Sequence, residues 1–381
     1  MTAGRFVRII VPPKALTDAV AFVLAECGRI QDVLRRDGPR ALSDDDRWFS
    51  IPAPNGFGGL LYGRAAQNSI EMLAQEAGRK VGISRRVSAE TIVRALKPEL
   101  TKRFIKERRP VDDREVQRFI SAVGEAAQQQ CEDRRHLVPC HLMHSSELDE
   151  LRIGPITFHN YVQFRRLVAP RARAYLSVTG GHKPLKRRLL QQSLKFYKQF
   201  KWIAEVEILR CDQITSEAVA ENAAISAIDC LHLVFGVYNS RKMRVGGPAL
   251  STDRRAKLGL LPEGNLTVEV SAAWPGHVEY SEGWSVFLEE GETAQIIRLC
   301  GVALEAAINP DLNRPLSWRF LDAARWFGEA AREESPSTAV VKYATALERL
   351  VMTEERGDIS SIFAVRFRGA LRRPGQCALQ A

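Results

Sequence analysis

Helix-period apolar patterns cut off by proline or glycine fill both ends of this 381-residue chain and leave strand-like texture to its middle, so the chain must fold as a mixed structure. With Ala15, Val20, Phe22, Val23, Leu24, Ile30, Val33 and Leu34, residues 15–37 read as an amphipathic helix, and Asp37-Gly38-Pro39 closes it. Further helices are expected at about 65–79, 88–109 and 113–130. The second opens on Ser88-Ala89-Glu90-Thr91. The third sets Asp112 and Asp113 ahead of Val116, Phe119, Ile120 and Val123, where carboxylates meet the positive end of the helix dipole.

Between 136 and 164 the texture changes to short apolar pieces, 136–143 and 153–158, which read as strands. Ile203 to Leu209 alternates apolar residues with Glu205 and Glu207, as a half-buried strand does. A helix over 217–235 follows, capped by Thr215 or Ser216. Residues 266–270 and 284–288 read as two strands joined by a loop that holds Trp274-Pro275-Gly276. The rest is helical, at about 292–308, 317–333, 337–354 and 359–370, with Ser337 as the cap of the third of these. The expected fold class is α+β: a mixed, helix-rich N-terminal region over 1–290, a helical region over 291–368, and an irregular tail over 369–381 of the kind that a truncated or frameshifted reading frame produces.

Several function classes drop out. Hydrophobic residues at 45% and charged residues at 26% are globular values. The most apolar stretch, Ala218 to Gly236, is interrupted by Glu221, Asn222, Asp229 and His232, so no membrane partner is expected. The first thirteen residues hold two arginines and an apolar run of three, too short for a signal core, and the expected location is the cytoplasm. Seven cysteines contain no CxxC pair, which excludes a disulfide scaffold. No GxSxG, GxGxxG, P-loop, HExxH or calcium-loop string occurs. Gly180-Gly181-His182-Lys183 reads as a plain turn before a helix, with a phosphate-holding helix start as the alternative. Cys131, His136, Cys140, His141 and His144 are the densest set of metal-ligand types. Cys131 and Cys140 stand too far apart to form a zinc knuckle, so the expectation is a buried strand, with no metal and no cofactor.

Charge is the feature most open to a functional reading. Leu151 to Ala204 contains no Asp or Glu but twelve Lys and Arg, while the rest of the chain holds 43 basic and 45 acidic residues. The whole formal charge of +10 therefore arises in that one segment. Such a patch suits phosphate backbones. Over Lys183 to Ala204, Leu185, Leu189 and Phe196, and again Leu190, Leu194 and Tyr197, recur at helical spacing beside Arg187, Lys195 and Lys198. The alternatives are a solvated helix face over a core stripe, a nucleic-acid contact, or an anionic membrane surface or acidic protein. The candidate nucleic-acid-binding residues are Arg165, Arg166, Lys183, Arg187, Lys195 and Lys198.

A resemblance enters in the last hundred residues. The stretch Trp318 to Ala331, then Ser335-Pro336-Ser337, Lys342 to Leu350 and Ile359 to Arg366 resembles the start of an ApeA-like HEPN domain. The resemblance implies a helical bundle, here partial, that pairs as a homodimer through its C-terminal helices. It also implies metal-independent RNA cleavage in bacterial antiviral defence, by an Arg-x4-6-His motif in which histidine is the acid/base and arginine stabilises charge. Glu348 and Arg366 match bundle positions, not catalysts. No histidine follows His277, so this chain is expected to lack that chemistry. Arg135 and His141 fit the spacing on a strand and are the only weak catalytic candidates. The alternative function is a non-catalytic, RNA-binding or regulatory protein that uses 151–204.

Overall fold

Leu16, Ala19, Val20, Val23, Cys27 and Ile30 return every three or four residues and form the buried stripe of α1 (Pro13–Asp37). The computed structural model describes residues 12–43, 49–143, 147–177, 183–246, 253–260, 266–273 and 283–351; within these, the side chains of 183, 186, 253–260 and 266–273 are not described. The chain divides into two compact units, one of 1–134 with 209–217, the other of 135–208 with 218–381. Residues 291–351 thus share a unit with the central sheet.

In the first unit α1 is followed by the hairpin β1 (Phe49–Pro52) and β2 (Gly59–Tyr62), then α2 (Arg64–Val81), α3 (Ala89–Leu100) and α4 (Asp113–Gln128). Their apolar faces make one core, in which Phe104 and Phe119 meet edge to face at 5.4 Å. Local sequence sets the helix starts. Ser88 Oγ accepts from the Thr91 amide, and Asp112 Oδ1 accepts from the Glu115 amide at 2.8 Å. The single helix expected over 88–109 is instead α3 followed by a π-helical turn over Thr101–Lys106, with Pro98 just before the change. Proline cannot donate to the helical ladder, which explains why the regular helix gives way there.

The second unit is built on a five-stranded sheet in the order β4-β5-β6-β3-β7, with β3 (Glu132–His141), β4 (Glu150–Ile153), β5 (Ile156–Asn160), β6 (Trp202–Cys211) and β7 (Arg244–Val245). The β4–β5–β6 register aligns Leu151, Phe158 and Ala204, and also Ile153, Ile156 and Val206, on one buried face. Glu150, His159, Thr157 and Glu205 fall on the other. The link from β5 to β6 is a pair of helices, α5 (Tyr161–Ser177) and α6 (Lys183–Tyr197).

After β6 comes α7 (Gln213–Ser240). It starts earlier than expected because Asp212, and not Thr215 or Ser216, is its cap: Asp212 Oδ1 accepts from the Thr215 amide at 2.9 Å. Oδ2 of Asp212 accepts from the Ser88 amide and from the hydroxyls of Ser88 and Thr91. Burial raises the Asp212 carboxyl, but these hydrogen bonds win and hold it below its ordinary range. By length and hydropathy α7 is apolar enough to cross a bilayer, and 56% of its most apolar window is buried inside the fold.

A separate hairpin pairs β8 (Asp253–Leu260) with β9 (Leu266–Ala273). The strand at 266–270 is therefore present, but its partner lies upstream, and residues 284–288 form the helix α8 (Trp284–Glu289). Burial shows the helical period in place of the expected strand: Trp284 and Leu288, four apart, are both buried, whereas Val286 between them is exposed. The carboxylate of Glu147 fixes the helix start by accepting from the amides of Gly283 and Ser285. Three helices complete the unit: α9 (Gly291–Ile308), α10 (Pro315–Ala331) and α11 (Pro336–Val351). Since α11 begins at Pro336, the residue before it is Ser335, not the expected Ser337; proline at the first helical position is pre-set for the turn.

Helix α10 packs against α9 and α11. Ala323, Ala324, Ala330 and Ala331 of α10 are buried, but Val340, Leu347 and Leu350 on α11 are exposed, because α11 meets α10 through Tyr343 against Phe327. The fold class is mixed α+β. The expected helix at 359–370, the Trp274-Pro275-Gly276 loop and the tail 369–381 lie outside the described residues.

Close backbone contact anchors α9 to the sheet. Gly154, at φ +55° in the β4–β5 turn, sits so near Gly301 of α9 that a Cβ on Gly154 would come within 2.5 Å of the Gly301 Cα. Gly28 in α1 has nothing within 4 Å of the same position. Gly301→Ala is therefore expected to lower unfolding free energy by about 1–3 kcal/mol through overpacking. Gly28→Ala is expected to raise it by about 0.5–1 kcal/mol through helix propensity. Urea unfolding of both variants checks the contrast.

Candidate nucleic-acid interface

The acid-free segment becomes an arm at the end of the β5–β6 pair. Asn160, the last residue of β5, launches α5 by accepting from the Gln163 amide at 2.8 Å while its own amide donates to Leu148 O and Asp149 Oδ1. Phe164 is the buried foot of α5, and its ring stacks on Tyr197 of α6 at 5.1 Å. The Tyr197 hydroxyl donates to the Leu137 carbonyl at 2.5 Å. Helix α6 thus turns Leu190, Leu194 and Tyr197 partly inward, and leaves Leu185, Leu189 and Phe196 exposed.

The basic residues stand in water. Arg165, Arg166, Arg187, Lys195 and Lys198 are all exposed. Arg165 and Arg166 are on α5, Arg187 and Lys195 on α6, and Lys198 in the turn that follows. Lys183 is the first residue of α6. Arg166 lies 3.9 Å from Asp149, an ion pair exposed on both sides and worth little. Among the described residues, no carboxylate lies within ion-pair distance of Arg165, Arg187, Lys195 or Lys198. The Gly180-Gly181-His182 turn lies outside the described residues.

The other candidates do not converge. Arg135 and His141 are both on β3, and six residues at a strand rise of about 3.3 Å put them about 20 Å apart, too far to act on one phosphodiester. Arg135 is engaged with Glu205 at 3.3 Å and Glu207 at 3.2 Å. His141 is buried, with its ring 4.9 Å from that of Phe200. On the same sheet face His159, unremarked in the sequence, lies 3.1 Å from Glu150 and 2.8 Å from Glu205. Of the cysteine and histidine set, Cys140 is a core thiol that burial pushes up to about 12, and His144 lies outside the described residues. Among the described residues no three His, Cys, Asp or Glu side chains are grouped to hold a metal ion. Glu348 is exposed on α11, and Arg366 lies outside the described residues.

Sequence reasoning also missed a buried polar cluster between α7 and α10. Its one signal was that Asp229 and His232 interrupt the most apolar stretch of the chain. Both are fully buried. Arg332 Nη1 donates to Asp229 Oδ1 at 2.9 Å and to His232 Nε2 at 2.8 Å. Arginine can only donate, so Nε2 accepts and the ring proton sits on Nδ1. That proton goes to Ser240 Oγ at 2.7 Å, and the Ser240 hydroxyl donates to the Gly236 carbonyl at 2.6 Å. Gly236 breaks α7 at φ +72°, which lets Ser240 fold back onto His232.

Burial, with the Arg332 charge, pushes His232 down to about 3. Burial pushes Asp229 up to about 6 against the pull of Arg332. No protein family, curated protein or solved structure matches this chain.

These two shifts act oppositely on stability. Below pH 6.5 the unfolded chain protonates His232 and the fold does not, so acidification costs stability down to about pH 3. From about pH 6 to the ordinary 3.8 of aspartate, the fold protonates Asp229 and the unfolded chain does not, so acidification adds stability. His232→Gln removes the cost and keeps the gain. Relative to the wild type it is expected to gain about 2 kcal/mol between pH 7 and pH 5, read by urea unfolding at the two values. An unchanged difference would rule out a neutral His232.

Proposed function

We propose that this protein binds RNA through the α5–α6 arm, as a non-catalytic binding or regulatory protein. The observation that carries this reading is the arm itself: within a segment of twelve cations and no carboxylate, nine of the cations belong to the two helices, and those whose side chains are described include the exposed Arg165, Arg166, Arg187 and Lys195. A strand laid along it releases condensed counterions, and that entropy supplies affinity without sequence reading. The absence of carboxylates also favours on-rate, since an approaching polyanion meets no repulsive group on the arm. The arm is tied to the sheet at both ends, through Asn160 and Tyr197, so its charges are held in place before binding.

A cleaving function, as the HEPN resemblance implies, has less behind it, because Arg135 and His141 stand apart and Arg135 is neutralised by Glu205 and Glu207.

The test is the salt dependence of RNA binding. If Arg187, Lys195 and Lys198 each meet a phosphate, replacing all three by Glu should weaken binding of every RNA sequence and flatten the log–log salt slope by about 2, at about 0.7 counterions per single-strand contact. Fluorescence anisotropy over a salt series reads both quantities. A folded triple variant that binds as the wild type does would overturn the proposal.

A further inference from the structure

Charge accounts for the arm's attraction to a phosphate backbone, but not for the apolar side chains kept in water beside it. Phe196 is the informative one. It lies in the last turn of α6, directly after Lys195 and two residues before Lys198. The residue is 39% exposed, yet its ring is braced on two sides: 5.9 Å from Tyr197 at 89°, and 5.1 Å from Phe200 at 59°. Phe200 is itself buried, and Tyr197 is pinned by its stack on Phe164 and its bond to the Leu137 carbonyl. The ring is therefore held at the surface rather than turned into the core, with a lysine on either side in sequence. Leu185 and Leu189 continue the same exposed stripe up the helix.

We infer that the arm takes single-stranded rather than duplex nucleic acid, with Phe196 as the platform on which one unpaired base stacks while Lys195 and Lys198 hold the flanking phosphates. The inference rests on the binding reading above and names its substrate class. The physical distinction is simple. A duplex hides the faces of its bases in its own stack and offers a protein mainly phosphates and groove edges, so an exposed ring gains nothing from it. A single strand can lay a base face on an aromatic ring whatever its sequence, because every base has such a face. A ring already fixed by its neighbours loses little freedom on binding.

The experiment compares labelled oligouridylate of about twelve nucleotides with an RNA duplex of similar length at one salt concentration, by fluorescence anisotropy, on the full chain. The expected result is tighter binding of the single strand, a loss of about five- to a hundredfold for the single strand in Phe196→Ala, little change for the duplex, and recovery in Phe196→Trp. Circular dichroism confirms that each variant is folded, and Phe196→Trp keeps the test decisive if the alanine variant is not. Equal loss for strand and duplex, or no loss for either, overturns the inference while leaving the charge-based reading intact. If Phe196→Ala leaves RNA binding unchanged but abolishes binding to vesicles of phosphatidylcholine with phosphatidylserine, the platform belongs to a membrane contact and the inference fails. If the wild type binds neither RNA probe, the proposed function fails with it.

Discussion

The second unit hangs on the pairing of β5 with β6. Five residues of β5 are matched to β6 from Ile156↔Val206 to Asn160↔Trp202, and that register decides which side chains face the core. It places Phe158, Ala204 and Val206 in the buried layer, and seats Trp202 where its indole N–H reaches the Met143 carbonyl at 2.8 Å and its ring meets Trp284 edge to face. The same pairing fixes the two feet of the arm. Because β5 and β6 are hydrogen-bonded neighbours, everything between them must leave the sheet and return to it, and here that excursion is the acid-free helix pair. The fold does not need its charge. Its eleven like charges repel one another, and only exposure and salt make that tolerable.

The cluster around Arg332 shows the opposite arrangement, with ionisable groups deep in the apolar interior. A buried carboxylate and a buried imidazole are costly unless each is bonded, and one guanidinium serves both. The chain of donors runs in one direction, from Arg332 through His232 and Ser240 to the Gly236 carbonyl, and it is consistent only with a neutral histidine. It also explains a break in a long helix: Gly236 turns the chain so that Ser240 can complete the bond. Gly328 belongs to the same packing, since a Cβ there would lie 2.0 Å from Asp229 Oδ1. Taking these groups out of water offsets much of what their bonds contribute, so the network is weak evidence of net stability.

What the sequence made legible was local. Ser88 and Asp112 act as helix caps because the bond they make reaches only three residues along the chain. The charge of the arm was legible because it is a count. Long-range partners were not. Asp212 displaced Thr215 and Ser216 as a cap because it also binds Ser88 and Thr91, more than a hundred residues away in sequence. Residues 284–288 read as a strand because so short a segment, apolar at four of its five positions, fits either period, and Glu147 settled the matter from outside the segment. On α6 both apolar stripes were visible, but only packing could show that Leu190, Leu194 and Tyr197 turn inward while Leu185, Leu189 and Phe196 stay in water. Arg135 and His141 had a suggestive spacing, and a strand's rise carried them apart.

Ultraviolet cross-linking of oligouridylate to the full chain, followed by mass spectrometry of the linked peptides, tests most directly whether RNA binds the arm. Aromatic side chains in stacking contact with uracil are where such links form, so the account predicts adducts concentrated in peptides from α5 and α6, with Phe196 and its neighbours foremost. Adducts confined to α1–α4 or to α9–α11, with the arm unlabelled, would contradict it.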